Sequence, residues 1–428
     1  MGPVLQEAGA LYKVPRTLRD IDFLNSGAGG YSQVGKCITV YTRDAAGAVE
    51  LAHGVDAAAG DLAFPEVPFD RQLRPGSCVF YRYGAYGKAR LLWRNGTHDA
   101  AIEGPSSEPV PDDATIAVPG WVDDPFVTTA RPRTSHRHPG SGGGLDGRYR
   151  VFAALSQRGK GGVYLALDTS GPAPRQCVLK EGRRHGETDP YGHDGAWRIG
   201  NEGRVLRALS RAGVPVPRVL GAFRSDGHRY LALEHLEGPT LEDHVRGRRH
   251  LPYADRLRLA TELAGLVAGV HAAGIAWRDC KPANVVQTSD GALHPLDFEG
   301  AARLDADGGA PWGSRSRLLP PSLAHPGSAP QDEDLHGLGA SIAALVCRRA
   351  PLRRGVVDVP GDVDGAVTRL LQQLLEPGKA GVRPAAATVE DRLRRAGQAR
   401  SRTVASTSST RSRPAPSAQK REKSASPS

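Results

Sequence analysis

One short stretch of the chain sets an acid, an amine and an amide at intervals that chemistry can use. In Trp277-Arg278-Asp279-Cys280-Lys281-Pro282-Ala283-Asn284 a lysine stands two residues after the acid and an asparagine five residues after it. Leu296-Asp297-Phe298-Glu299 adds a second acid after a short hairpin. This spacing suits metal-assisted phosphoryl transfer. Asp279 can accept a proton from an attacking hydroxyl, and Lys281 can offset charge on a phosphate. Asn284 and Asp297 supply hard oxygen ligands of the kind Mg²⁺ prefers.

Acids at such intervals are commonly surface loops, so the reading depends on what precedes them. Lys180 closes Val178-Leu179-Lys180, and Glu202 follows 22 residues later in a helical pattern, as a lysine that holds phosphates and its ion-pair partner would. Taken singly, each reads equally well as a surface charge. Gly159, Gly161 and Gly162 lead into Val163, so backbone N–H groups can come close to phosphate, although a plain hairpin turn has the same composition. Glu234, closing the strand-like Tyr230–Glu234, completes the nucleotide-binding set.

In this order the residues resemble the protein kinase superfamily, with HRD written as WRD and DFG as DFE. The resemblance implies an active kinase that uses ATP and Mg²⁺. Asp334-Leu335-His336-Gly337 resembles the start of the long buried helix of such kinases, with Asp334 accepting hydrogen bonds from the catalytic-loop backbone. Some positions depart from the pattern. Ser156 and Arg158 stand at the first two glycine positions, and Glu299 replaces a glycine, stiffening that loop and adding a charge. Pro320-Pro321-Ser322 stands where an APE motif would lie, leaving Arg383 without its usual glutamate. Ser314 and Ser316 are possible activation-loop phosphosites facing Arg278.

The surrounding pattern predicts an α+β chain in four parts. Residues 1–128 read as a small α+β module, with strands expected at Lys36–Tyr41, Ser77–Gly84 and Ala89–Trp93 and a helix over Ala45–Gly60. Residues 129–146, rich in Arg, Pro, Ser, His and Gly, read as a flexible linker whose His136 and His138 are solvated. Residues 147–395 place strands first and helices later, a two-lobed kinase-like layout with a polar insertion over Arg183–Gly195. Residues 396–428 lack apolar periodicity and are expected to be a disordered basic tail.

Bulk properties exclude several classes. A hydrophobic content of 39% and a charged content of 24% describe an ordinary globular chain. The net charge of +10 comes without a nucleic-acid-binding signature, so anionic substrates such as ATP are the expected partners. Five scattered cysteines form no CxxC pair, which argues for a reducing cytoplasm and against a zinc site or disulfide framework. The first residues carry no signal peptide, and the apolar run Leu259–Trp277 is broken by Glu262 and His271, so no membrane span is expected.

The first module narrows the resemblance. Gly35-Lys36-Cys37-Ile38-Thr39-Val40-Tyr41, Val79–Gly84 and Val118–Phe126 resemble the N-terminal region of class III lanthipeptide synthetases. So do Leu296–Ala301 and the insertion after Lys180. Such enzymes join a phospho-Ser/Thr lyase, a Ser/Thr kinase and a LanC-like cyclase. The resemblance implies phosphorylation of a precursor peptide on Ser or Thr, followed by loss of phosphate to give dehydroamino acids. It makes Lys36 the base of a lyase and Arg82 a phosphate ligand, with a strand-edge charge and a surface cation as the equal alternatives. The family's Lys-x-His-x-Ser strand is not found, so the module is expected to be a truncated, lyase-like remnant, or the start codon is misassigned. No cyclase signature follows the kinase region, so ring closure calls for a separate cyclase or is spontaneous. A regulatory Ser/Thr kinase with an N-terminal scaffold, a small-molecule phosphotransferase and a non-catalytic peptide-binding scaffold stand as alternatives.

Overall fold

A computed structural model describes residues 1–85, 90–127, 144–247, 251–305, 330–348, 352–353, 356–357, 359–361, 363–376 and 382–410. These residues form two compact units. The first comprises Met1–Leu236 with Asp297–Ala302, and the second Glu237–Leu296, Arg303–Asp305 and the described residues after 315.

The first unit opens with short elements: α1 (Gly2–Glu7), β1 (Leu11–Lys13), α2 (Leu18–Asn25), β2 (Thr39–Tyr41) and α3 (Ala45–Ala59). Then come β3 (Arg71–Gln72), β4 (Phe80–Tyr81), β5 (Arg90–Leu92), β6 (His98–Glu103) and β7 (Pro109–Pro111). Thr17 and Asp20 cap α2 reciprocally, and the Asp44 carboxylate accepts from Gly47 N at the start of α3. β1 pairs with β2, β3 with β4, and β5–β6–β7 form a three-stranded sheet. Strands this short bury little, so the core is a scatter of Leu5, Val34, Leu51, Val67, Leu73 and Phe126.

The same unit continues into a five-stranded antiparallel sheet in the order β11-β12-β10-β9-β8. Its strands are β8 (Tyr149–Arg158), β9 (Gly161–Asp168), β10 (Arg175–Gly182), β11 (Val219–Ser225) and β12 (His228–Glu234), with α4 (Gly195–Arg211) packed on it. Burial alternates along β9, as a half-buried strand requires. Tyr149, Tyr164, Ala166, Cys177, Leu179, Tyr230 and Ala232 gather into one core. Phe223 stacks between Tyr149 and Tyr230 at 5.3 and 5.0 Å. The register sets Lys180 opposite Val163 on one side and Leu231 on the other.

The second unit is mainly helical: α5 (Leu241–Arg246), α6 (Tyr253–Ala272), α7 (Pro330–Cys347), α8 (Gly365–Leu375) and α9 (Ala386–Thr410). Leu257, Leu259, Leu263, Val267 and Val270 bury the apolar face of α6, which packs against α7 and α9. Between α6 and α7 lie β13 (Ile275–Ala276) and the hairpin of β14 (Val285–Gln287) and β15 (Leu293–Pro295). Leu296 N donates to Asn284 O at 2.8 Å and closes that hairpin. Among the described residues no helix is long and apolar enough to cross a membrane.

Several expectations are corrected. The strand expected from Lys36 begins only at Thr39. Gly35 adopts φ +78° and Lys36 N donates to Gln33 O, so a turn takes up the first three residues. Of Ser77–Gly84 only Phe80–Tyr81 pairs, because the Ser77 hydroxyl accepts from Val79 N at 2.9 Å and competes with a ladder. The tail expected to be disordered from 396 stays helical to Thr410. Val389 and Leu393 anchor that helix, its Ala and Arg content favours continuation, and Arg395 pairs with Asp391 one turn away. Residues 411–428, most of the expected linker (128–143), Ser314, Ser316 and Pro320–Ser322 lie outside the described residues.

Candidate active site

Within the first unit the strands and α4 bring three expected residues together. Lys180 Nζ lies 2.7 and 2.9 Å from the two Glu202 carboxylate oxygens and 2.9 Å from Asp297 Oδ1. Burial works against the Lys180 ammonium, but Asp297, Glu202 and Glu299 outweigh it and hold the amine well above its ordinary value. Burial pushes the Glu202 carboxyl up while Lys180 draws it back. The two short ammonium bonds identify it as the ionised partner. Glu202 also accepts from Phe298 N at 3.2 Å. Asn201 donates to Glu299 O at 3.3 Å and Ala301 O at 2.8 Å, so two successive residues of α4 grip the segment Phe298–Ala301 that follows Asp297. Asp297 itself sits at φ +62°, a left-handed conformation that costs energy for a non-glycine residue and that such anchoring maintains.

Gly161, Gly162 and Val163 open β9 beside Lys180. Gly161 is at φ +149°, and a Cβ there would meet Glu181 O at 1.8 Å, so only glycine fits. Gly159 is required for a different reason. A Cβ on it would lie 1.5 Å from Asn25 O, and its own N–H donates to Ser26 O at 3.4 Å. The turn after α2 therefore rests on the glycine loop. Two further contacts join the N-terminal module to the five-stranded sheet: His228 Nε2 to Glu66 at 2.7 Å, and the Arg183 guanidinium 4.8 Å above the Tyr31 ring. Glu234 does not join the Lys180 cluster; its carboxylate pairs with Arg218 at 3.2 Å.

Lys36 and Arg82 are each held by an acid. Lys36 Nζ is 2.9 Å from Asp70, and Arg82 Nη2 is 2.5 Å from Asp112. Burial pushes the Asp70 carboxyl upward, while Lys36 and then Arg82 pull it down. The four charges are near neighbours and balance two against two.

In the second unit the catalytic-loop set is assembled locally. Asp279 accepts from Lys281 Nζ at 2.8 and 3.0 Å and from Asn284 Nδ2 at 2.7 Å. The loop hangs from Asp334, whose fully buried carboxylate accepts from Trp277 N at 2.7 Å and Arg278 N at 2.5 Å, as the sequence suggested. His271 at the end of α6 adds a third bond to Asp334 at 2.9 Å. Arg278, at φ +65°, forms a buried two-pronged pair with Glu333. Trp277 is fully buried and donates its indole N–H to Leu296 O. Arg383 donates to Leu374 O at 2.7 Å. Burial pushes the Cys280 thiol far up, so it is inert packing.

Sequence reasoning missed His271, Glu333 and Asn201, which hold the motif residues in place. It also missed Lys160 of the glycine loop and Glu187 of the insertion after β10, which accepts from the Lys160 N–H at 3.2 Å. An Asn-Glu pair at 201–202 and an Asp-Glu-Asp run at 332–334 were visible, but nothing in them says what they grip.

Asp297 in the first unit and Asn284 in the second each offer a hard oxygen donor of the kind a divalent cation takes, and among the described residues no group of three or more His, Cys, Asp or Glu could hold an ion alone. A cation that keeps few protein ligands and completes its shell with phosphate oxygens and water fits this chemistry.

These features define a phosphotransferase of the protein kinase fold, and the profile of the protein kinase domain matches residues 160–375; the chain belongs to the protein kinase family. It carries, ahead of that domain, a match to the RamC N-terminal domain over residues 1–138. Relatives include a probable SapB synthase of Streptomyces coelicolor, 30% identical over 332 residues that make up 74% of this chain and 34% of the relative. Serine/threonine-protein kinase F of Synechocystis is 31% identical over 39% of this chain and 36% of its own length. A probable serine/threonine-protein kinase PkwA of Thermomonospora curvata is 31% identical over 50% and 28%. The chain thus spans about a third of the length of these curated relatives. Within the protein kinase family, its similarities are to SapB synthase and to bacterial serine/threonine-protein kinases.

Proposed function

We propose that the chain uses ATP and Mg²⁺ to phosphorylate Ser or Thr residues of a precursor peptide, as the first step toward dehydroamino acids. The observation that carries this reading is the extent of the match to SapB synthase. It covers 74% of the chain and so runs beyond the kinase domain, whereas kinase F matches over 39%. Resemblance to class III lanthipeptide synthetases supplies the peptide and its fate.

Asp279 orients the substrate hydroxyl and takes its proton, and Asn284 fixes the Asp279 carboxylate through a 2.7 Å bond. Lys281 sits against Asp279 and offsets charge on the transferring group. Lys180, locked by Glu202, holds the nucleotide phosphates beneath the loop Gly159, Gly161, Gly162 and Val163. Asn284 and Asp297 would hold Mg²⁺, which when bound neutralises phosphate charge. Glu234 is assigned to the nucleotide site by position at the end of β12. The reaction belongs in the cytoplasm, with the precursor peptide as partner.

A second activity, elimination of phosphate, would fall to Lys36 as base. The one-to-one pairing of Lys36 with Asp70 and Arg82 with Asp112 favours the other reading of the module, a scaffold with no elimination chemistry. One experiment separates these readings: mass spectrometry of a Ser/Thr/Cys-rich peptide after incubation with the chain, ATP and Mg²⁺. Gain of phosphate supports the kinase with a scaffold, and net loss of water supports kinase plus lyase. An unchanged peptide, tested with the peptide encoded beside the gene, would overturn the precursor-peptide reading.

A further inference from the structure

The tip of the β8–β9 turn carries an amine to which the kinase motifs assign no role. Lys160 stands between Gly159 and Gly161, where the backbone is placed to cover nucleotide phosphates. Both of its donor groups are met by carboxylates from distant parts of the chain. Its N–H donates to Glu187 Oε1 at 3.2 Å, and its Nζ is bound by the Glu299 carboxylate. Glu187 arrives from the insertion after β10, held at φ +46° in a segment tied down by Gly186 N to Arg183 O and His185 N to Asp194. Glu299 is the acid in the DFG glycine position, two residues beyond Asp297.

We propose that Lys160 is a second nucleotide-phosphate lysine, and that Glu187 and Glu299 occupy its N–H and its ammonium as stand-ins for phosphate oxygens, which a triphosphate displaces. The inference rests on the nucleotide site of the proposed kinase. Carboxylate and phosphate oxygens are equivalent partners for a charged N–H donor, and phosphate brings more charge. The two lysines differ in freedom. Lys180 is committed to three carboxylate oxygens and is 12% exposed, whereas Lys160 has a single side-chain partner and is 32% exposed. A lysine stem is long enough to exchange one oxygen for another without moving the backbone. The charge count agrees. Lys160 and Lys180 face Glu187, Glu202, Asp297 and Glu299, so carboxylates outnumber amines two to one, and a divalent cation arriving with the triphosphate would supply the counter-charge that lets Lys160 leave Glu299. Glu299 thereby acquires a function for its departure from glycine: it parks Lys160 over the site.

The test is nucleotide affinity, read on the full chain by displacement of a fluorescent ATP analogue with ATP and with adenosine. Lys160→Ala is expected to weaken ATP about tenfold, the worth of one charged contact, and to leave adenosine unchanged. Lys160→Arg retains most of the ATP affinity. Glu299→Gln and Glu187→Gln remove a competitor and tighten ATP several-fold. Opposite signs for the lysine and glutamate variants establish the exchange. Equal weakening in all three means the contacts merely brace the loop and overturns the proposal, as does unchanged ATP affinity in Lys160→Ala or a matching loss for adenosine. Failure of the unmodified chain to bind any nucleotide would overturn the kinase reading and this inference with it. Intact binding with the wrong signs overturns only the inference.

Discussion

Two charged clusters in the first unit invite comparison. Around Lys180 the carboxylates of Glu202 and Asp297 converge on one amine, deep in the fold. Around Lys36 each cation has its own acid, Asp70 for Lys36 and Asp112 for Arg82. Composition is nearly the same and the consequence is opposite. The Lys180 cluster retains negative charge, which a divalent cation brought with the nucleotide would offset in the proposed kinase. The Lys36 cluster closes its own account and presents no uncompensated cation to a phosphate. A functional charge set is distinguished by its imbalance under burial, where unpaired charge is most costly, and not by the presence of lysine and acid.

The sharpest way to break the comparison is to disable each candidate base in turn. Asp279→Asn is expected to lower phosphoryl transfer by roughly a thousandfold, because the hydroxyl loses its proton acceptor. Lys36→Met is expected to leave phosphoryl transfer unchanged. Transfer rates measured with radiolabelled ATP on one peptide, with thermal melts as controls, check both. A Lys36→Met variant that stops phosphorylation would put the N-terminal module inside the kinase reaction and reverse the comparison.

The next effect is on stability. Lys180→Met strips the ammonium from the buried Glu202 and the half-buried Asp297 and should cost about 3–5 kcal/mol, the usual penalty for orphaning a buried charge, here that of Glu202. Lys36→Met leaves only Asp70, part of a half-buried group with Arg82 still near, and should cost about 1 kcal/mol. Urea denaturation of the two variants gives the contrast directly. Equal losses would mean that the N-terminal cluster is as deeply committed to the fold as the kinase one.

The same contrast marks what could be read from the sequence. The Asp279-to-Asn284 set is legible because its geometry is local: a lysine two residues on and an amide five residues on reach the same carboxylate within one turn of chain. Lys180 and Glu202 are legible because a strand and a helix deliver them and their flanking residues repeat a known order. Glu187 and Glu299 on Lys160, Glu66 on His228 and Asn25 on Gly159 join residues far apart in sequence through polar side chains or bare backbone, which leave no periodic trace. The N-terminal strands were overextended for a related reason. Val79, Phe80 and Tyr81 have strand propensity, but the Ser77 hydroxyl turn claims the backbone first.

The smallest expected effect asks whether the N-terminal module is as dry inside as the sheet it rests on. Tyr31, against Arg183, and Tyr81, bonded to Asp124 at 3.1 Å, are both pushed up to about 12, in each case first by burial. An unfolded tyrosine ionises near 10, so between pH 10 and 12 the folded chain binds more protons than the unfolded one. Stability must therefore fall as pH rises through that window, by up to about 1.4 kcal/mol per pH unit for Tyr31 and by less for the more exposed Tyr81, where solvent screens the interaction. Ultraviolet titration of tyrosinate, compared between the unmodified chain, Tyr31→Phe and Tyr81→Phe, isolates each step. A Tyr81 step near 10 with a Tyr31 step near 12 would show that water reaches the short-stranded core and stops at the five-stranded sheet. Two steps near 12 would show that the module, for all its short strands, excludes water as the kinase sheet does.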